Sequence, residues 1–257
     1  MTLFFVLFSS FVQASTQPLH VMIDPGHGGT DTGAVRGKAR EAEIALKVGT
    51  YLKTLLEQDS NYQASLTRTT DKSLSLQERV ELAEELKADL FLSIHANAAS
   101  DRRARGVEFY FQNHLPADEE TLFLAATENK VAKSNALENQ NTQDPTKKND
   151  VLSIVEDLKR THRMVSSHKL SKKLLMAWEE TNPEIKNNSN IIRQAPFYVV
   201  SRANMPSVLI ELGFLTNPKE ADRLINPEYQ KEIAQKIYRG LQKYKDLMDK
   251  SNLASLN

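Results

Sequence analysis

The sequence predicts a single α/β domain built on a mostly parallel sheet between helical layers. Three observations carry that expectation. Short apolar runs alternate with helical periodicities through the first hundred residues. Two runs, Leu90-Phe91-Leu92-Ser93-Ile94 and Ser207-Val208-Leu209-Ile210, are nearly continuous, as expected for strands covered on both faces. The chain has 257 residues, 40% of them hydrophobic, which suits one core of this size.

Leu19-His20-Val21-Met22-Ile23 reads as the first buried strand. Glu41 to Leu56 follows as a helix, with Ile44, Val48, Tyr51, Leu52 and Leu55 at helical spacing. Tyr62 to Thr67 is the next strand. Ser75-Leu76-Gln77-Glu78 is a capping box that opens a helix running to about Lys87. Leu90 to Ile94 and Gly106 to Phe111 are strands. Val151 to Trp178 reads as one or two helices, and Ser207 to Ile210 as a further strand. Asn217-Pro218-Lys219-Glu220 caps a helix, and Asn226-Pro227 starts the last one. Its apolar stripe is Tyr229, Ile233, Ile237, Leu241, Tyr244 and Met248, with residues 251–257 left as a tail.

Two segments break this rhythm. Leu3 to Phe8, with Phe11-Val12, is apolar but too short to span a bilayer. Val12-Gln13-Ala14 resembles a signal-peptide cleavage site, although no Lys or Arg precedes the run. Residues 1–14 are therefore expected to be a signal peptide. The remaining chain is expected to be exported, periplasmic or extracellular, without a membrane anchor. Residues 116–150 are rich in Glu, Asn, Gln, Lys and Thr and form a polar insertion, with enough apolar residues in Glu119 to Ala136 for one or two weak helices.

Composition narrows the chemistry. Lys+Arg and Asp+Glu both number 33, so the zero net charge gives no support to nucleic-acid binding or a polybasic membrane patch. No cysteine is present, so any metal must be held by His, Asp or Glu. Asp24-Pro25-Gly26-His27-Gly28-Gly29 places a histidine in a loop stripped of packing side chains, at the carboxyl end of a strand. His95 and Glu211 also end predicted strands, and Glu41 starts a helix at the same edge. A lone strand-end histidine is ordinarily structural, and that reading suffices for His95 alone. The glycine setting of His27 and the cost of burying Glu211 argue for function. Two imidazoles and a carboxylate suit zinc with one position left for water, with Glu41 as ligand and Glu211 as general base. His20, His114, His162 and His168 lie in polar or amphipathic surroundings and are read as bland.

At these residues the chain resembles the zinc-dependent N-acetylmuramoyl-L-alanine amidases of the peptidoglycan amidase-3 family. The likeness runs from Leu19 to Met248. It covers Ile23 to Gly29, Arg40-Glu41, Thr67-Arg68-Thr69 with Asp71 and Arg79, and Ser93 to Asn97. It continues through Gly106-Val107-Glu108, Gln194 to Phe197, and Pro206 to Phe214 with Asn217. The resemblance implies about six strands with helices on both faces. It implies zinc on His27, Glu41 and His95 and catalysis by Glu211, with Glu43 a neighbouring competitor for the ligand role. Glu41 is preferred because Ile44 and Leu46 keep the family's apolar register. The implied reaction is hydrolysis of the amide between N-acetylmuramic acid and L-alanine in peptidoglycan, by a monomer, for wall remodelling or daughter-cell separation. Some relatives carry a regulatory helix where residues 116–150 lie, and a glutamate from it blocks the zinc until a protein activator displaces it. Glu119, Glu120 and Glu128 are the candidates here, against the alternative of a solvated charged loop. The rival functions are a zinc peptidase acting on stem peptides and a catalytically silent wall-binding or activator protein.

Overall fold

The computed structural model describes residues 17–112, 119–130, 150–185 and 191–254. The segment expected to be a signal peptide and most of the polar insertion lie outside them, as does His114. A six-stranded sheet organises the rest, in the order β4-β1-β5-β8-β6-β7. The strands are β1 (Leu19–Pro25), β4 (Tyr62–Leu66), β5 (Leu90–Asn97), β6 (Glu108–Phe111), β7 (Ile192–Gln194) and β8 (Ser207–Phe214). A two-stranded ribbon, β2 (Val35–Arg36) and β3 (Ala39–Arg40), stands apart.

β1, β5 and β8 are buried along their whole length, which explains why their sequences read as continuous rather than alternating. Successive side chains still point to opposite faces. Val21, Ile23, Leu90, Leu92 and Ile94 face one layer, and Met22 and Phe91 face the other. Helices α1 (Glu41–Glu57), α4 (Asp150–Glu179) and α7 (Pro227–Ala254) cover the first face. Helices α2 (Leu76–Glu85) and α5 (Tyr198–Arg202) cover the second, with Val80, Ala83, Val199, Val200 and the preceding Phe197 in one buried cluster with Met22 and Phe91. α3 (Glu119–Glu128) joins that second layer through Ala125.

The helix starts follow the sequence signals. Ser75 and Glu78 form the expected reciprocal capping box on α2. Asn217 caps α6 (Pro218–Leu224), with proline in the first turn. Asn226 accepts from the Glu228 and Tyr229 amides at the start of α7. α7 continues to Ala254, so the first residues of the assigned tail are helical.

The sheet is mostly parallel, as expected, with a single antiparallel pairing that makes it mixed. β4, β1, β5 and β8 run together, while β6 is antiparallel to β8 and carries β7 with it. The reason lies in the connection. Residues 98–107 contain no helix, and a parallel return needs a longer crossover. The chain therefore comes back in the opposite direction on the far side of β8. β5 and β8 also run past His95 and Glu211 instead of ending there.

A buried polar cluster holds the carboxyl ends of β1 and β4 together. Asp24 accepts from Arg79 Nη1 at 2.7 Å, from Thr67 at 2.7 Å and from Ser93 at 2.9 Å. Burial pushes the Asp24 carboxyl up, but Arg79 and then Thr67 more than reverse this and hold it below the ordinary range. An aspartate with a depressed pKa adds stability that is complete above its unfolded value, about 3.9, and is lost as pH falls through the folded value. Asp24→Asn leaves a buried guanidinium without its carboxylate and is expected to cost about 3–5 kcal/mol at neutral pH. Denaturant unfolding of both proteins should show the gap narrowing as pH drops below about 4.

A candidate metal centre at the carboxyl edge of the sheet

His27, Glu41 and His95 meet although they are distant in sequence, because β1, the start of α1 and β5 share one edge. Their ligand atoms, with one from Glu128, all lie within 4.8 Å of one another. Glu41 is the first residue of α1, and its carboxylate is fixed from two sides. Ala34 N–H donates to Oε2 at 2.8 Å and Ala96 N–H to Oε1 at 3.0 Å. Oε1 also lies 2.9 Å from His95 Nδ1 and 3.1 Å from His27 Nε2. Glu43 is half exposed and pairs with Arg40 instead.

The glycine loop is shaped around these groups. A Cβ on Gly26 would overlap the His95 ring, and one on Gly33 would come within 2.6 Å of His27 Cδ2. His27 itself sits at φ 55, a left-handed conformation that is rare for residues other than glycine and is found where surrounding structure enforces it. Arg79 Nη2 donates to the His27 carbonyl at 2.7 Å. Buried Arg68 donates to the carbonyls of Pro25, Gly26 and Ala42, and so ties the loop to the first turn of α1.

Asp31, which the sequence reading did not single out, orients the His27 ring. His27 Nδ1–H donates to Asp31 Oδ2 at 2.8 Å, which leaves Nε2 to face the cluster. Nε2 is buried and, despite Glu41 and Glu128 nearby, receives no properly directed hydrogen bond. An imidazole nitrogen held this way, opposite buried carboxylates, has the donor chemistry of a zinc ligand. Asp31→Ala should therefore weaken zinc binding by about 10–100-fold with the fold intact, read by competition with a chromophoric chelator. Unchanged affinity would rule out this orienting role.

Glu211 stands in register with His95 on β5 and with Glu108 on β6, so the three share a row across the sheet. It is fully buried, and its Oε2 has no hydrogen-bond partner. Burial, then the carboxylates of Glu41, Glu128 and Glu108, push its pKa well above the usual range. Glu41 goes the other way. Burial opposes its charge, but the nearby His27 ring and the hydrogen bond from His95 hold it far below that range. On His27 burial is likewise outweighed, here by Glu41, Asp31 and Glu128, which push its pKa well above the ordinary imidazole range. The cluster thus demands positive charge at its centre, which a proton or a metal ion can supply. Glu108 is also raised by burial, although Arg193 opposes this, and it accepts from Tyr110 O–H at 2.8 Å.

Above these residues is a cavity of about 420 Å³, walled by residues 97–100, Tyr110 and Arg193 on the sheet side and by Phe123, Leu124 and Thr127 of α3. α3 delivers Glu128, whose Oε2 is 3.2 Å from His27 Nε2 and 3.4 Å from His95 Nδ1. Glu119 and Glu120 are exposed, and among the described residues Glu120 pairs with Arg193, at 4.0 Å. Of the other histidines, His20 is buried and bridges the Leu86 carbonyl and Ser65, and His168 stacks on Phe111. His162 is exposed. A larger polar hollow near Tyr62 and Arg239, at the opposite edge, holds no metal-competent cluster among the described residues.

Sheet and donor set together define an α/β protein with a metal-competent acid–base centre at its carboxyl edge. Comparison with known proteins makes this specific: residues 21–243 match the family model described as N-acetylmuramoyl-L-alanine amidase, and the chain belongs to that family. It is 32% identical over 236 residues to N-acetylmuramoyl-L-alanine amidase AmiC of Escherichia coli O6:H1, covering 89% of this chain and 53% of that protein. The chain thus spans about half the length of that relative. Among solved structures it resembles amidase AmiC2 of Nostoc punctiforme, at 30% identity and TM-score 0.61, covering 89% of this chain and 97% of the other. It also resembles the CwlD amidase of Clostridioides difficile, solved in complex with the GerS lipoprotein, at 25% identity and TM-score 0.65 over 89% and 98% of the two chains.

Proposed function

We propose that this chain is a zinc-dependent amidase that cleaves the bond between the lactyl group of N-acetylmuramic acid and L-alanine in peptidoglycan. The observation that carries the reading is the row His95–Glu211 beside His27 and Glu41, a complete donor set plus one free buried carboxylate in a chain of this family. His27, Glu41 and His95 would hold the zinc. Zinc in such a site supplies Lewis acidity and lowers the pKa of water. Glu211 takes a proton from the water that attacks the lactyl carbonyl and returns it to the leaving nitrogen of L-alanine as the C–N bond breaks. Presence of all four groups disfavours a silent binding protein.

In this reading α3 closes the site. Glu128 occupies the position that water and substrate need, and it supports autoinhibition more strongly than a solvated loop would. A partner that lifts α3 would be the activator. The apolar run near the N-terminus supports export to the periplasm or cell surface, and no described helix is long and apolar enough to cross a membrane. The test is metal dependence. Chelator-treated protein should lose activity on purified peptidoglycan and regain it with one equivalent of zinc, and His95→Ala should bind no zinc. Full activity after chelation would refute a metal hydrolase.

A further inference from the structure

We infer that a basic rim beside the cavity captures the carboxylates of peptidoglycan stem peptides before cleavage. The inference rests on peptidoglycan being the substrate. Three segments that leave the carboxyl edge are pinned to one another there. Ala99 N–H donates to Thr216 Oγ1 at 3.3 Å, Arg36 Nη1 to the Thr216 carbonyl at 3.0 Å, and Asn217 Nδ2 to the Ala104 carbonyl at 3.1 Å. The ribbon contributes Arg36, Lys38 and Arg40, the loop after β5 contributes Arg102, Arg103 and Arg105, and α6 with its cap contributes Lys219 and Arg223.

Acidic residues are too few to neutralise them. Asp101 pairs with Arg103 at 3.0 Å and Glu43 with Arg40 at 3.8 Å. Glu220 is spent on the amides of Gly106 and Phe214, and Asp222 is the remaining carboxylate of these segments. Lys38, Arg102, Arg105 and Lys219 are exposed and make no ion pair among the described residues. In a chain of zero net charge this is a concentrated local excess. It continues into the cavity wall, because Gly33, Ala34 and residues 98–100 line the cavity and the same loops carry the cations.

An exposed cluster of one sign raises the local concentration of oppositely charged polymer and speeds encounter. The sugar backbone beyond the lactyl group is largely uncharged, whereas each stem attached at a scissile amide bears carboxylates. A multi-stem wall therefore offers many anionic groups to a fixed cationic rim. The attraction should be screened by salt, since all four free cations face solvent.

Sedimentation of the 257-residue chain with purified, phosphate-polymer-free peptidoglycan tests this at low salt and at about 0.5 M salt, where screening is short-ranged. Lys38/Arg102/Arg105→Glu should weaken wall binding about tenfold at low salt, within the range electrostatic steering supplies, and equal the wild type at high salt. Wild-type binding should fall similarly when wall carboxylates are amidated, an arm that needs no variant. Cleavage of a small, soluble, uncharged muramoyl-alanine amide by the variant should be unchanged. Equal low-salt binding of variant and wild type, indifference to amidation, or binding that requires the phosphate polymers would each overturn the rim. Failure of the zinc-loaded Glu128→Ala protein, whose site α3 no longer plugs, to cleave the soluble amide would instead overturn the proposed function.

Discussion

Glu211→Gln is expected to lower turnover about a hundred- to ten-thousand-fold while leaving zinc stoichiometry unchanged. The substitution is nearly isosteric, so the β5–β8–β6 ladder that positions residue 211 survives. What disappears is a carboxylate able to exchange a proton. Metal content stays because His27, Glu41 and His95 retain their supports in the glycine loop, at Ala34 and at Ala96. The relevant pair of measurements is single-turnover hydrolysis and zinc content of the same preparation. Turnover within threefold of wild type would remove Glu211 from the role of base. Loss of zinc would make it a ligand instead.

Glu128→Ala is expected to raise activity, by about 5–150-fold if α3 closure is coupled to the site like an ordinary effector. The helix is lightly held, since only Thr121 and Ala125 along it are buried while Leu122 and Phe123 are exposed. Asn129 adds a hydrogen bond from Nδ2 to the Pro196 carbonyl at 2.9 Å and one from the Tyr198 amide to its Oδ1 at 2.8 Å. Few buried contacts make for a low opening free energy. Removing the carboxylate takes away the strongest polar attachment of α3 to the centre without disturbing the core. Rates on peptidoglycan for wild type, Glu128→Ala and the exposed control Glu119→Ala decide the matter. Activation should be confined to Glu128→Ala, and equal rates for all three would dismiss α3 as a plug.

Much of this was legible because the signals were strong and local. The runs at Leu19, Leu90 and Ser207 are apolar on both faces, and the caps at Ser75 and Asn217 have one natural interpretation. The structure brings together His27, Glu41 and His95 as expected, with Glu211 beside them. Strand direction at β6 was harder, because residue identities do not encode it and only the short helix-free connection does. β7 and α5 are too short for periodicity to reveal. Asp31 was hidden because its role depends on the left-handed turn at His27, a tertiary feature. Glu128 could have been distinguished from Glu119 and Glu120. Thr121, Ala125 and Glu128 follow i, i+4, i+7 and share the inward face of α3, whereas Glu120 falls off it.

The fragments released from purified peptidoglycan test the central claim most directly. Mass analysis of a digest by the zinc-loaded chain should find intact stem peptides with a free L-alanine amino terminus, together with glycan strands bearing unsubstituted lactyl carboxylates. Stem peptides cut internally, with L-alanine still attached to muramic acid, would contradict it.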